Sequence, residues 1–330
     1  MQTLLDPAIL FFIFGVLAGL VKSNLEIPPQ ISRFLALYLL MALGLKGGFA
    51  LAQSGLTHQV VVGLGCAVTL AVVIPVLGYS VLRKFLQPFD AAAVAATYGS
   101  VSAVTFITAI QYMETQGYAF GGHMSAAMAL MESPAIILAI MLANHLRNAA
   151  KKDAANAGAV VMPGKPTPLG KILHESFTDG AQLLLLGAMV VGLLSGDAGK
   201  AAMKPFSGDL FKGMLAFFLL DMGLMAARNI PLLRGQSPWA FVYAVLGPIA
   251  HAAMALAVGA LAGMSAGDTA LLMVLAASAS YIAVPAVLRF SMPEAEPSLY
   301  FGMSLGVTLP LNILLGIPAY VAVAHRYLPV

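Results

Sequence analysis

Charged residues are scarce in this chain. Only 9% of the 330 residues are Asp, Glu, Lys or Arg, and 60% are hydrophobic, whereas an ordinary soluble domain carries roughly 25% charged residues. A soluble fold of this length cannot bury so much apolar surface, so the solvent around it must be lipid. The formal net charge of +3 is too small to indicate a nucleic-acid partner. The composition therefore predicts an integral membrane protein.

Cysteine and the common cofactor motifs are also lacking. The single cysteine, Cys66, excludes an internal disulfide, and the six histidines show no ligand-like spacing, so no resident metal or cofactor is predicted. The sequence contains no Walker loop, dinucleotide-binding glycine motif, metalloprotease helix or nucleophile elbow. These absences argue against an ATP-driven pump and against a membrane-embedded enzyme, and we predict that the chain is not an enzyme.

Ten apolar windows are each long enough to cross about 30 Å of hydrocarbon. The segment before the first window has no Lys or Arg, so that window is expected to be retained as a span. Between the fifth and sixth windows, residues 148–172 are rich in Lys and Pro, which indicates an aqueous linker between domains at 1–147 and 173–330. The windows lie at about 7–22, 33–50, 59–82, 91–112, 122–146, 178–195, 210–227, 238–262, 267–290 and 298–324.

The basic residues predict an orientation, because cytoplasmic loops carry an excess of Lys and Arg. If the N-terminus lies outside, the inner side holds 12 of the 17 basic residues and the outer side holds 5. Both termini are therefore predicted outside and the linker in the cytoplasm. The inner set is Lys22, Arg33, Arg83, Lys84, Arg147, Lys151, Lys152, Lys165, Lys171, Arg228, Arg234 and Arg289.

Three short matches between the halves indicate an internal duplication. They occur in the same order and at a nearly constant offset. Five spans per half is an odd number, so the second half would enter the membrane upside down. The sequence thus predicts an all-α membrane protein of about ten transmembrane helices in two inverted five-helix repeats, a layout found in many secondary transporters. The matched pairs are Gly44 with Gly223, Ser102 with Ser280 and Pro134 with Pro310, at offsets of 179, 178 and 176 residues.

Small polar residues interrupt the fourth and ninth windows. The fourth carries Tyr98-Gly99-Ser100-Val101-Ser102, and the ninth carries Ser278-Ala279-Ser280-Tyr281 followed by Pro285. Such residues fit a helix that unwinds at mid-membrane, where half-helix N–H groups attract an anion and freed carbonyls coordinate a cation. The alternative is that they only allow close helix packing. Because the two clusters occupy equivalent positions, we predict a broken helix in each repeat.

Two carboxylates lie inside predicted spans, Glu132 in the fifth and Asp221 in the seventh. A charge at such depth costs about 2.5–3.5 kcal/mol, so it usually has a partner or a task. Glu132 could bind a coupling cation, accept a proton, or pair with a nearby donor. Asp221 could serve transport or form a structural pair with Lys46 or Arg228.

Five segments resemble the cyanobacterial sodium-dependent bicarbonate transporter family, in the right order and over nearly the whole chain. The resemblance implies a five-plus-five inverted repeat, sodium-coupled anion uptake, a homotrimer in the bacterial plasma (inner) membrane, and a PII-like regulator at the cytoplasmic face. Where that family shows Ser-Ser-Asp-Ile-Ser in the second broken helix, this chain has Tyr281 in place of the acid. The segments are Gly44 to Gly48, Gly99 to Ser102, Pro248 to His251, Ala276 to Ser280, and Pro293 to Ser298.

We therefore predict a sodium-coupled symporter that imports a small anion, bicarbonate first, by alternating access. Sodium is the coupling ion, and no other cofactor is expected. The alternatives are a proton-coupled or facilitative carrier of an organic anion, and a non-transporting membrane sensor that docks a cytoplasmic partner. The predicted anion site comprises Gly99, Ser100, Ser102, Ser278 and Ser280, the cation side Thr105, Glu132 and Thr308, and the further candidates are Tyr281 and Asp221.

Overall fold

The computed structural model describes residues 6–55, 57–156 and 180–329, and all regular elements within these ranges are helical. We number the helices in chain order. They are α1 (Pro7–Leu20), α2 (Pro29–Ser54), α3 (His58–Leu82), α4 (Pro88–Gly99), α5 (Ala103–Gln116), α6 (Met124–Asn156), α7 (Gly180–Lys204), α8 (Phe211–Asn229), α9 (Pro238–Leu261), α10 (Ala266–Ala277), α11 (Ala283–Ser291) and α12 (Pro297–Tyr327).

The prediction of an all-helical membrane protein is confirmed. Seven helical stretches within the described ranges are long and apolar enough to cross a membrane, and one of them, Gly180–Leu233, contains both α7 and α8. The shorter helices α1 and α10 are also apolar. Eight of the ten predicted windows coincide with one helix each, and the fourth and ninth coincide with the pairs α4–α5 and α10–α11.

Proline sets the start of several helices. Pro29, Pro88, Pro238 and Pro297 stand in the first turn of α2, α4, α9 and α12. Proline has no N–H to donate, and the first turn of a helix has no intrahelical acceptor for one, so the loss costs nothing there.

Glycines bring two pairs of helices into backbone contact, α1 with α8 and α2 with α7. A Cβ atom at Gly223 would lie 2.2 Å from the carbonyl oxygen of Phe12, and one at Gly48 would lie 2.1 Å from that of Met189. In lipid, helices associate by such close packing because no hydrophobic force drives them together. We call these two pairs, α1–α8 and α2–α7, the glycine-packed group.

The partners in each pair run in the same direction. Gly15 lies beside Leu220 and Gly19 beside Ala227, so α1 and α8 advance together along their contact. The helices α2 and α7 do the same. The first span thus pairs with the seventh, and the second span pairs with the sixth. A five-plus-five duplication would produce this arrangement, in which the first two spans of each half pack against the first two spans of the other half. The inverted repeat itself stays a prediction.

The predicted linker begins as helix. Because α6 runs to Asn156, residues 148–156 continue the fifth span without a break. The rest of the predicted 148–172 linker lies outside the described residues, and the domain boundaries and the orientation of the termini stay predictions.

A salt bridge ties the end of the fifth span to the loop after α11. Arg147 contacts both carboxylate oxygens of Glu294 at 2.7 Å and donates to the carbonyl of Ser291 at 2.8 Å. The hydrogen bonds from Arg147 hold the pKa of the Glu294 carboxyl below its usual value. This bidentate contact fixes the position of α11 relative to α6.

Candidate functional site

The predicted interruptions are confirmed, and the two breaks contact each other. Helix α4 ends at Gly99 and α10 ends at Ala277, and α5 and α11 begin after three and five intervening residues. The backbone N–H of Ser280 donates to the carbonyl of Thr97 at 2.8 Å, and that of Ser102 donates to Ser278 Oγ at 2.8 Å. The four half-helix ends therefore meet at one place in the membrane interior, which we call the crossing.

Serine hydroxyls accept hydrogen bonds from the first turns of the helices that leave the crossing. Ser102 Oγ accepts from the N–H of Thr105 at 3.2 Å and from its hydroxyl at 3.0 Å. Ser280 Oγ accepts a longer bond of 3.4 Å from the N–H of Val284. A serine in this position satisfies one of the N–H groups that a helix start leaves without a partner. Ser102 is the N-cap of α5, so the local sequence explains where α5 begins.

A cavity of about 730 Å³ borders the crossing. Ala103 and Ala283, the first residues of α5 and α11, line it, so two half-helix N-termini with their partial positive charge face the same space. The polar side chains in its lining are Ser32, Arg33, Ser102, Glu132, Gln182, Ser280 and Tyr281.

The cavity separates the glycine-packed group from the broken helices. One wall comes from the first halves of α2 and α7 and the second half of α8, and the other comes from α5, α6 and α11. Among its lining residues, Arg33 at the start of α2 and Gly180 at the start of α7 are exposed, and we call this end of the cavity the mouth. On the predicted orientation, this end faces the cytoplasm.

Glu132 has the nearby donor that was one of its predicted alternatives. Gln182 Nε2 donates to Glu132 Oε2 at 2.8 Å, and Gln182 itself is only 7% exposed. Both side chains line the cavity. Sequence reasoning missed Gln182, whose only signal is that it is a polar residue in the first turn of an apolar span.

Asp221 is buried behind the cavity lining and does not itself line the cavity. It accepts a hydrogen bond from the hydroxyl of Ser32, which lines the cavity. Neither suggested basic partner forms an ion pair with it. Lys46 instead pairs with Glu114 at 2.9 Å, and Arg228 donates to the carbonyl of Leu25 at 3.0 Å.

Tyr281 lies directly in the cavity lining. Its ring is 6% exposed, and its hydroxyl lies 3.4 Å from the sulfur of Met222 on α8. The phenol thus spans from the second break to the opposite wall.

Several predicted site residues lie behind the crossing rather than in the cavity lining. A Cβ at Gly99 would come within 2.5 Å of Pro75 on α3, so this glycine serves close packing. Ser278 donates to the carbonyl of Leu275 at 2.8 Å. Ser100, Thr105 and Ser278 are each about 1% exposed.

Thr308 belongs to a different contact. Its hydroxyl donates to the carbonyl of Ala244 at 2.8 Å and lies 2.6 Å from the hydroxyl of Tyr98. The structure therefore brings Ser102, Ser280, Glu132 and Tyr281 together at the cavity but does not bring Thr308 to it.

At the end of the bundle away from the mouth, the loop between α5 and α6 contacts the first turn of α10. The N–H of Gly121 donates to Asp268 Oδ1 at 2.6 Å, and His123 Nε2 lies 3.8 Å from Asp268 Oδ2. Burial lowers the pKa of the His123 imidazole, against the opposing effect of the Asp268 carboxylate. These contacts fix the loop onto the start of α10.

Comparison with known proteins bears on all of these features. A family model described as the Na+-dependent bicarbonate transporter superfamily matches residues 7–325. No curated protein matches the chain. The matched segment contains the crossing, the complete cavity lining and both pairs of the glycine-packed group.

Proposed function

The chain belongs to the Na+-dependent bicarbonate transporter superfamily, and we propose that it is a sodium-coupled symporter that imports a small anion, with bicarbonate as the first substrate. Membership of this family makes it a transporter and not an enzyme. The observation that carries the proposal is the crossing, where two half-helix N-termini and two serine hydroxyls border one cavity. Transporters bind anions at such discontinuous helices.

The anion site uses Ser102, Ser280 and the first N–H groups of α5 and α11. Because Thr105 donates to Ser102 Oγ, the hydroxyl proton of Ser102 is available to donate to an anion or to the neighbouring hydroxyl of Tyr281. The partial positive charge of both helix starts adds to this attraction. Arg33 at the mouth raises the local concentration of anions. Gly99, Ser100 and Ser278 hold the crossing together from behind.

The cation site uses Glu132 and the oxygen atoms near the crossing. Glu132 shares the cavity with the proposed anion, so a sodium ion between the two charges reduces their repulsion. The hydroxyl of Thr105 and carbonyls at the ends of α4 and α10 are candidate ligands, as in other transporters with broken helices. Thr308, bonded to Tyr98 and Ala244, supports the broken helix from its other side.

Alternating access would move the glycine-packed group as one body against the broken helices. The cavity lies along the boundary between these two bodies. Rocking them would close the mouth beside Arg33 and open the opposite end, where the Asp268 contacts lie. Such rigid-body motion around a fixed midplane site is usual in transporters of this layout.

The resemblance of the sequence supports three further parts of the proposal. We propose that the protein lies in the bacterial plasma membrane as a homotrimer. The excess of basic residues on the inner side separately supports an orientation with both termini outside. A PII-like regulator binds at its cytoplasmic face.

Uptake of radiolabelled bicarbonate into proteoliposomes tests this function. The assay is run at alkaline pH, where membrane-permeant CO2 is scarce, with an inward gradient of sodium, of protons, or of neither. Uptake that follows the sodium gradient supports the proposal. Flux that ignores sodium but follows the pH gradient would support the organic-anion carrier. Failure to move any anion would support the non-transporting sensor.

The variants Ser102→Ala and Ser280→Ala should each raise the KM for the anion about tenfold or more without loss of membrane expression. The reason is that a hydrogen bond to a charged group contributes about 1.5–3 kcal/mol, and 1.4 kcal/mol corresponds to about tenfold. The measurement is initial uptake against anion concentration. Ser80→Ala is the control, because Ser80 donates only to its own helix at Val76. Normal uptake by both variants would mean that the serines serve packing alone.

A further inference from the structure

We propose that the same cavity binds a monocarboxylate with an apolar body, of the class of medium-chain fatty acids, as a ligand that competes with the small anion. The carboxylate would occupy the crossing, and the chain would extend along the apolar wall toward the mouth. This inference rests on the proposed function for its anion site, but its apolar part rests on independent observations.

The first observation is size. A bicarbonate ion has four heavy atoms and would fill on the order of 100 Å³ if each takes a volume similar to that of water, roughly 30 Å³. The cavity measures about 730 Å³, which is within the range of roughly 300–1,000 Å³ for sites that hold larger organic ligands. Most of the space is therefore left over when the small anion is bound at the crossing.

The second observation is the chemistry of the leftover space. The polar groups of Ser102, Ser280 and Tyr281 cluster at the crossing. Glu132 and its partner Gln182 add a second polar spot to the lining, and most of the remaining wall consists of alkyl, thioether and phenyl groups. Methionine side chains adapt their shape to ligands of different form. The wall side chains include Leu37, Leu40, Met128, Phe218, Met222 and Met225.

The third observation is the charge at the mouth. Arg33 lines the mouth, and within the part of the chain that the structure describes it forms no salt bridge. Arg33 at this end and the two helix N-termini at the crossing attract anions, and the proposed sodium ion balances the Glu132 carboxylate that lies in the same lining. A ligand with one carboxylate and an apolar body would match both the apolar wall and the positive charge of Arg33 and the helix N-termini.

The test is binding of a saturated carboxylate series to the full chain in lipid nanodiscs. Acetate, butanoate, hexanoate and octanoate are titrated calorimetrically, with empty nanodiscs subtracted to remove partition into lipid. Affinity should rise about fourfold per methylene group, which corresponds to about 0.8 kcal/mol per buried CH2. An affinity that does not depend on chain length would overturn the proposal, and so would octanol binding as tightly as octanoate, which would indicate a lipid-like apolar site.

A filled cavity provides the second arm. Ala36 and Ala286 line the cavity, so Ala36→Phe or Ala286→Phe should weaken octanoate at least tenfold and leave acetate unchanged. Ala253→Phe, on an exposed face of α9, is the matched control and should bind octanoate as the wild type does. Using two variants covers the case in which one does not fold. An unchanged slope with chain length in both would place the ligand outside the cavity.

Octanoate should also inhibit bicarbonate uptake competitively, by raising KM without lowering the maximal rate. The two proposals can fail separately. Octanoate binding without any bicarbonate flux would remove the proposed transport function and keep the ligand site. Sodium-driven bicarbonate flux that octanoate does not affect would keep the proposed transport function and remove the ligand site.

Discussion

Gly223→Leu is expected to abolish the stably folded protein, whereas Gly213→Leu, ten residues earlier on the same helix, is expected to leave it unchanged. At Gly223 even a Cβ would lie 2.2 Å from the carbonyl oxygen of Phe12. This oxygen belongs to the backbone, so it cannot move away by a change of rotamer as a side-chain atom can. At Gly213 nothing lies within 4 Å of that position. Overpacking in a filled interior costs about 1–3 kcal/mol for a few extra methylene groups, and here it also separates two whole helices.

The measurement is the amount of monodisperse protein in mild detergent and its thermal unfolding midpoint. The two variants gain the same side chain and the same improvement in helix propensity, about 1 kcal/mol over glycine. Any difference between them therefore reports the contact with α1. A wild-type midpoint for Gly223→Leu would show that α1 and α8 do not pack backbone to backbone.

Glu132→Gln is expected to remove the sodium dependence of uptake and to lower sodium-driven uptake at least tenfold. The substitution keeps the shape and the hydrogen-bonding capacity of the side chain, so the contact with Gln182 can persist in altered form. It removes the negative charge that would balance a cation beside the anion. Losing one charged interaction of this kind costs about 1.5–3 kcal/mol, which is tenfold or more in apparent sodium affinity. Initial rates measured against sodium concentration give this value.

Glu114→Gln is the matched control for this variant. Glu114 forms an ion pair with Lys46 at 2.9 Å and does not line the cavity, so its loss should leave sodium dependence intact. Glu132→Asp, which keeps the charge on a shorter arm, should retain part of the coupling. Uptake by Glu132→Gln that still depends on sodium but no longer on pH would instead identify Glu132 as a proton acceptor.

The breaks could be predicted from the sequence because their signal is local. Small polar residues in the middle of an apolar window are costly in lipid, and Gly99 to Ser102 and Ser278 to Tyr281 stand out for that reason. The structure places both interruptions where the composition changes. The positions of the apolar helices followed in the same way from the windows, since each window coincides with one helix or with one broken pair in the described ranges.

The partners of the polar residues could not be predicted, because they depend on which spans become neighbours. Glu132 meets Gln182 across 50 residues, and Tyr98 meets Thr308 across 210. Periodicity within a span contains no information on such pairings. For the same reason the sequence predicts only the side of the membrane on which Arg33 lies. In the structure, its position on α2 brings it to the mouth of the cavity.

The glycines illustrate the same limit. In the sequence, Gly44 and Gly223 match each other in the predicted duplication, and that match contains no information about which helices they contact. In the structure each one contacts a span from the other half of the chain, Gly44 at Leu185 and Gly223 at Phe12.

The bonds at the crossing have a consequence for how such a protein could have arisen. Ser280 donates to Thr97 and Ser102 donates to Ser278, so each half of the chain completes the break of the other. A chain with only five spans would hold one hydroxyl-capped helix start and half a cavity. If the two halves descend from one gene, their ancestor needed a second copy of itself, inserted in the opposite orientation, before it had a binding site. Gene fusion would then have fixed a partnership that was already required.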